Sequence, residues 1–181
     1  MKNIPNILSS VRIALVPFFI WQMICRNTVA AGVILLVSSL TDLLDGMIAR
    51  KFNWVSRLGK LLDPIADKLT QSTVSLALII TLREYWYLFA FMIFKDAVIL
   101  TLGGILLKKG MRFKGPRFLG KVSTFFFYTG MLIIILFPKL PEIFILFILI
   151  IAAVLALVSG LLYIPEYYAY KLEISKNTAI N

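Results

Sequence analysis

Histidine is absent from this chain of 181 residues, cysteine occurs once, and acidic residues number nine. Each shortage excludes some chemistry. Without histidine there is no Ser-His-Asp relay, no histidine-bearing zinc site and no phosphohistidine intermediate. The lone Cys25 permits no internal disulfide, and its neighbours Met23, Ile24 and Arg26 give no sign of a reactive thiol. Any metal chemistry therefore rests on carboxylates, which favour hard ions such as Mg²⁺ or Mn²⁺.

Charge is scarce too: 15% of residues are charged and 60% hydrophobic, with a mean hydropathy of +0.91. That balance cannot furnish a water-facing surface. Long apolar runs are abundant instead. Six of them, at 10–25, 29–48, 64–81, 85–107, 122–138 and 141–163, reach or approach the roughly 20 residues a bilayer core demands. So many runs in so short a chain leave almost nothing to cover them. The expected fold class is all-α, a polytopic membrane protein with six transmembrane helices and a short N-terminal interfacial segment. One membrane domain is expected over 1–170, with a polar tail over 171–181. The first run carries Arg12 and Pro17 and has no small-residue cleavage site, so it is expected to stay in the mature protein.

Breakers set the helix limits: Asn27 with Thr28, residues 53–57 and 82–85, Gly110 to Gly115 with Pro116, and the pair Pro138 and Pro141. The net charge of +10 is distributed by this topology. With a cytoplasmic amino terminus, one side receives Lys2, Arg12, Arg50, Lys51, Arg57, Lys60, Lys68, the cluster from Lys108 to Lys121, Lys171 and Lys176. The other side receives Arg26, Arg83 and Lys139. The positive-inside bias then puts both termini and both basic loops in the cytoplasm, where orientation and contact with anionic headgroups account for most single lysines.

The acids are concentrated. Helical spacing puts Asp42, Asp45, Gly46 and Ala49 on one face at the end of the second run. Gly59, Asp63 and Asp67 share a face at the start of the third. Ionised groups in membrane helices cost several kcal/mol each unless partnered. Two divalent cations held between these helices would neutralise the carboxylates and leave coordination positions for phosphate oxygens. Small residues at Gly46, Ala49 and Gly59 would let a helix or a ligand approach closely. The competing explanation is ion pairing with Arg50, Arg57, Lys60 or Lys68, which would satisfy one or two of the acids.

Asp42-x-x-Asp45-Gly46-x-x-Ala49-Arg50, eight residues, then Gly59-x-x-x-Asp63-x-x-x-Asp67 resembles the complete signature of the CDP-alcohol phosphatidyltransferase family. The resemblance implies six membrane helices and a site of two Mg²⁺ or Mn²⁺ ions with Asp42, Asp45, Asp63 and Asp67 as ligands. It also implies that Asp67 is the base for the acceptor hydroxyl and that the CDP moiety lies against Asp42, Gly46, Ala49, Arg50 and Gly59. The donor it implies is CDP-diacylglycerol, and it suggests a homodimer.

The start Asn3-Ile4-Pro5-Asn6-Ile7-Leu8-Ser9-Ser10-Val11-Arg12 resembles the members that use glycerol 3-phosphate as acceptor. In physical terms Arg12 can equally snorkel to the interface as an anchor. The loop carrying Arg112, Lys114, Arg117 and Lys121 can supply cations to an acceptor phosphate. Gly120-Lys121-x-x-Thr124 matches a pattern shared by the members that use glycerol 3-phosphate and by CMP-forming cardiolipin synthases, although Phe127 stands where such relatives carry glutamine. Lys95 and Asp96 stand where relatives carry arginine followed by an acid; as helical neighbours they point apart, so each is expected to have its own partner. Phosphatidylglycerol is the rival acceptor, followed by serine and inositol phosphate. A carboxylate-lined cation transporter is the reading from a different class, but transport usually leaves polar groups at several depths, whereas most acids here lie near one surface.

Overall fold

The computed structural model describes residues 4–51, 59–108 and 118–161, with side chains at all of these except 4–6, 45–46, 48–51, 59–64, 102–108 and 118. Six α-helices follow in order: α1 Ile4–Ile24, α2 Thr28–Lys51, α3 Gly59–Thr81, α4 Trp86–Lys108, α5 Phe118–Leu136 and α6 Glu142–Leu161. A short 3₁₀ turn, Arg83–Tyr85, joins α3 to α4. The expected interfacial segment is not a separate element, because α1 is already helical from Ile4 and continues through Pro17. The polar tail lies outside the described residues.

Local chemistry explains the first connection. Arg26 adopts the left-handed conformation at φ 56°. Its N–H donates to the Met23 carbonyl at 3.1 Å and that of Asn27 to Gln22 at 3.0 Å, which closes α1 in a Schellman pattern. The Asn27 side-chain oxygen then accepts from the Ala30 N–H at 3.2 Å and caps the start of α2.

The helices pack as a closed ring in the order α1, α2, α5, α6, α4, α3 and back to α1. Successive helices run up and down, so residues early in α1, α3 and α5 meet residues late in α2, α4 and α6. This reversal sorts the interior into two layers. One is apolar and draws on every helix: Phe19, Leu35, Leu78, Phe89, Met131 and Leu149. The other is polar and holds Arg12, Asp42, Asp67, Lys68, Lys95, Asp96 and Tyr128. Two glycines permit close helix crossings. A Cβ on Gly32 of α2 would stand 2.5 Å from Leu136 of α5, and one on Gly130 of α5 would stand 2.6 Å from Ile148 of α6.

The outside is as apolar as the core. Ile80 (72% exposed), Phe94 (68%) and Phe147 (63%) stand on three different helices, and comparable side chains face outward on the others. Water would penalise such a surface, whereas lipid does not. Three segments are long and apolar enough to cross a bilayer: Ile7–Ile24, Leu119–Leu136 and Glu142–Leu161. The apolar part of α2, Thr28–Leu44, is shorter, and α4 is interrupted by Lys95 and Asp96. The described residues thus form an all-helical protein with the surface of a membrane protein, and among them three of the expected six spans meet the length and composition demanded.

Candidate active site

Asp42 lies past the midpoint of α2, close to the end of its apolar part, Thr28–Leu44. Its Oδ1 is paired with Nη1 of Arg12 from α1. Arg12 is fully buried, so it neither snorkels nor anchors. A guanidinium at that depth needs a partner, and the adjacent helix supplies a carboxylate. Arg12 was not among the bases expected to pair with Asp42; of those, Arg57 lies outside the described residues and the side chains of Arg50 and Lys60 lie outside the described ones. Both α2 and α3 pack on α1, which places Arg12 at the seam between the two carboxylate-bearing helices.

Asp67 is held mostly by neutral donors. The side-chain nitrogen of Gln71, one turn along α3, donates to Oδ1 and Oδ2 at 3.0 Å each. The hydroxyl of Tyr128 from α5 donates to Oδ1 at 3.2 Å across the ring. Lys68 adds an ammonium 3.4 Å from Oδ2, a contact anticipated by the ion-pairing explanation. Tyr128 itself is buried. The side chains of Asp42 and Asp67 remain 29% and 16% exposed.

The polar layer continues into α4. Lys68 Nζ lies 3.2 Å from Asp96 Oδ1, and Lys95 Nζ lies 2.5 Å from the same oxygen. Asp96 thus has the separate partner expected of it, Lys68, whereas Lys95 turns back to Asp96 itself. The long lysine stem makes up for the angular offset of adjacent helical residues, and it runs over Gly160 of α6, where an added Cβ would stand 3.5 Å from Lys95 Cγ.

The remaining expected site residues fall into three groups. Asp45, Gly46, Ala49 and Arg50 follow Asp42 within α2, and Gly59 and Asp63 precede Asp67 within α3. The backbone there is helical, as their spacing requires, while their side chains lie outside the described ones. Arg112, Lys114 and Arg117 lie outside the described residues. Lys121 is exposed in the first turn of α5. Sequence reasoning missed Gln71 and Tyr128 as partners of Asp67. The i, i+4 spacing of Asp67 and Gln71 was an available signal, whereas Tyr128 is brought in by tertiary packing alone. Phe127, the departure from the glutamine of relatives, is core-buried beside it.

The model of the family described as CDP-alcohol phosphatidyltransferase matches residues 2–161. The chain belongs to the CDP-alcohol phosphatidyltransferase family. Among its relatives is a Streptomyces coelicolor protein named cardiolipin synthase (CMP-forming), 37% identical over 131 residues, or 68% of this chain and 60% of that one. A Mycobacterium tuberculosis protein provisionally named a cardiolipin synthase is 34% identical over 129 residues, covering 71% and 62%. An Aquifex aeolicus protein named CDP-diacylglycerol--glycerol-3-phosphate 3-phosphatidyltransferase is 35% identical over 132 residues, covering 72% and 74%. This chain thus spans about six tenths of the length of the two cardiolipin synthase relatives.

CDP-alcohol phosphatidyltransferases use divalent metal ions, and the donors here suit such ions in kind. Asp42 and Asp67 are hard oxygen ligands, part exposed, and neither histidine nor a thiolate stands near them to favour softer metals. Among the described residues no three ligating side chains gather; the other two expected ligands, Asp45 and Asp63, have side chains outside the described ones.

Proposed function

We propose that this phosphatidyltransferase moves the phosphatidyl group of CDP-diacylglycerol onto the hydroxyl of sn-glycerol 3-phosphate, giving phosphatidylglycerophosphate and CMP in phospholipid biosynthesis. The observation that carries the reading is the setting of Asp67. Its carboxylate is oriented by the neutral donors Gln71 and Tyr128 and stays part exposed, on the helix that with α2 packs against α1. That arrangement suits a general base for an incoming alcohol.

In this reading Asp42, Asp45, Asp63 and Asp67 hold two Mg²⁺ or Mn²⁺ ions. When bound, the ions supply charge stabilisation to the pyrophosphate and the departing CMP. The residues of the chain do the rest. Asp42, Gly46, Ala49, Arg50 and Gly59 seat the CDP moiety, with Arg12 fixing the direction of the Asp42 carboxylate. Asp67 takes the proton of the attacking hydroxyl. Arg112, Arg117 and Lys121 bind the acceptor phosphate. All six helices cross the cytoplasmic membrane, and the polar layer faces the cytoplasm, where CDP-linked lipid and glycerol 3-phosphate meet.

A second reading keeps the chemistry and changes the acceptor to phosphatidylglycerol, giving cardiolipin; the names of the Streptomyces and Mycobacterium relatives favour it. The two readings differ in what the loop before α5 must bind. A charge-assisted contact removed from glycerol 3-phosphate typically costs about 10- to 150-fold in binding. Arg117→Ala and Lys121→Ala should therefore raise KM for glycerol 3-phosphate and leave that for CDP-diacylglycerol unchanged. An equal effect on both substrates would remove the acceptor assignment.

A further inference from the structure

We propose that Asp96, on α4, is a positioning residue for Asp67 and acts through Lys68 and Gln71. This rests on Asp67 being the base in the reading above. The connection is a series of short polar contacts: Asp96 Oδ1 to Lys68 Nζ at 3.2 Å, Lys68 Nζ to Gln71 Oε1 at 3.0 Å, and Gln71 Nε2 to both oxygens of Asp67 at 3.0 Å.

Each link has a distinct task. A glutamine amide can face a carboxylate with its NH₂ or, after a flip, with its carbonyl, and the second arrangement is repulsive. Lys68 donates to the carbonyl of Gln71, so the NH₂ is left to clamp Asp67. Lys68 also stands 3.4 Å from Asp67 Oδ2, and on its own it would close on that oxygen and cap it against an acceptor hydroxyl. Asp96 prevents this. It is buried, and it draws the ammonium to the opposite side, where Lys68 is held between the two carboxylates. Lys95, the other cation on Asp96, balances its charge without contacting Asp67 or Gln71 in the described contacts. The result is a base fixed in direction by a helix that carries none of the signature residues.

Selective ¹⁵N labelling tests this without reference to turnover, because Gln22 and Gln71 are the only glutamines and the side-chain amide of Gln71 is identified by its loss in Gln71→Leu. In the full chain in detergent micelles, Asp96→Asn should shift or split the Gln71 amide signals, and Lys68→Met should do the same. Asp96→Glu should leave them near their original positions. Unmoved Gln71 signals in folded Asp96→Asn would overturn the proposal. If that variant does not fold, Lys68→Met against Asp96→Glu gives the same comparison.

Turnover supplies the second arm. Misplacing a reacting group by about 1 Å costs on the order of a hundredfold. Asp96→Asn should lower kcat by roughly ten- to a hundredfold and leave both KM values in place. Added to Lys68→Met it should have no further effect. Additive losses, or recovery of Asp96→Asn by Lys95→Met, would mean that Asp96 serves only to neutralise Lys95. A wild-type chain that releases no CMP with any acceptor counts against the catalytic reading, while the Gln71 signals still decide the contact network.

Discussion

At the scale of single residues, the chain handles buried charge by giving each described ion in its polar layer a partner of opposite charge, from another helix for Arg12, Asp42, Lys68 and Asp96 and from the next residue for Asp67 and Lys95. Arg12 and Asp42 form the clearest pair. Removing one member of a buried pair costs about 3–5 kcal/mol when both are fully buried, and less here because Asp42 is part exposed. Arg12→Met should therefore lower the midpoint of thermal unfolding measured with chelator present. Arg12→Met with Asp42→Asn should recover most of the loss, since no unpaired charge remains. Additive losses would show that Arg12 acts through packing and not through its charge. Much of this scale was legible in advance for the aspartates, because helical spacing alone puts Asp42 on the face of Asp45 and Asp67 on that of Asp63. The partners were not. Arg12 is separated from Asp42 by 30 positions and Tyr128 from Asp67 by 61, and only the packing of the helices brings them together.

At the scale of elements, two features hold the polar layer in register. Asn27 caps α2 immediately after the Schellman turn at Arg26, so the register of α2 against α1, and hence of Asp42 against Arg12, starts from that cap. Asn27→Ala should cost about 1 kcal/mol, read as a lower unfolding midpoint. The crossing of α5 and α6 at Gly130 is the second feature. Gly130→Leu must displace Ile148, and overpacking of this kind costs typically about 1–3 kcal/mol. Because Tyr128 lies two residues away on α5, the same variant should lower kcat as well as stability. Loss of stability with unchanged kcat would show that α5 tolerates the shift without moving Tyr128. Helix number and approximate limits were readable from apolar runs and breakers. The earlier start of α1 was not, since Pro5 falls in its first turn, where proline is compatible with a helix but gives no apolar signal.

At the scale of the whole molecule, alternation of six helices brings polar segments that are scattered along the chain into one layer above an apolar one. A transport path would need polar groups continued through the apolar layer, where the buried residues are Phe19, Leu78, Phe89, Met131 and Leu149. Orientation in the membrane is checked by cysteine labelling after replacement of the exposed Cys25. Reagent confined to the outer face should reach Lys139→Cys and miss Lys114→Cys; the reverse would put the site on the wrong side for cytoplasmic CDP-linked lipid. The central claim is most directly tested by CMP release from CDP-diacylglycerol, measured with the purified chain, Mg²⁺ or Mn²⁺, and each acceptor in turn. Release with glycerol 3-phosphate, abolished in Asp67→Asn while that variant remains folded in the membrane, is the predicted result. Undiminished release from Asp67→Asn, or none from the unaltered chain with any acceptor, would contradict it.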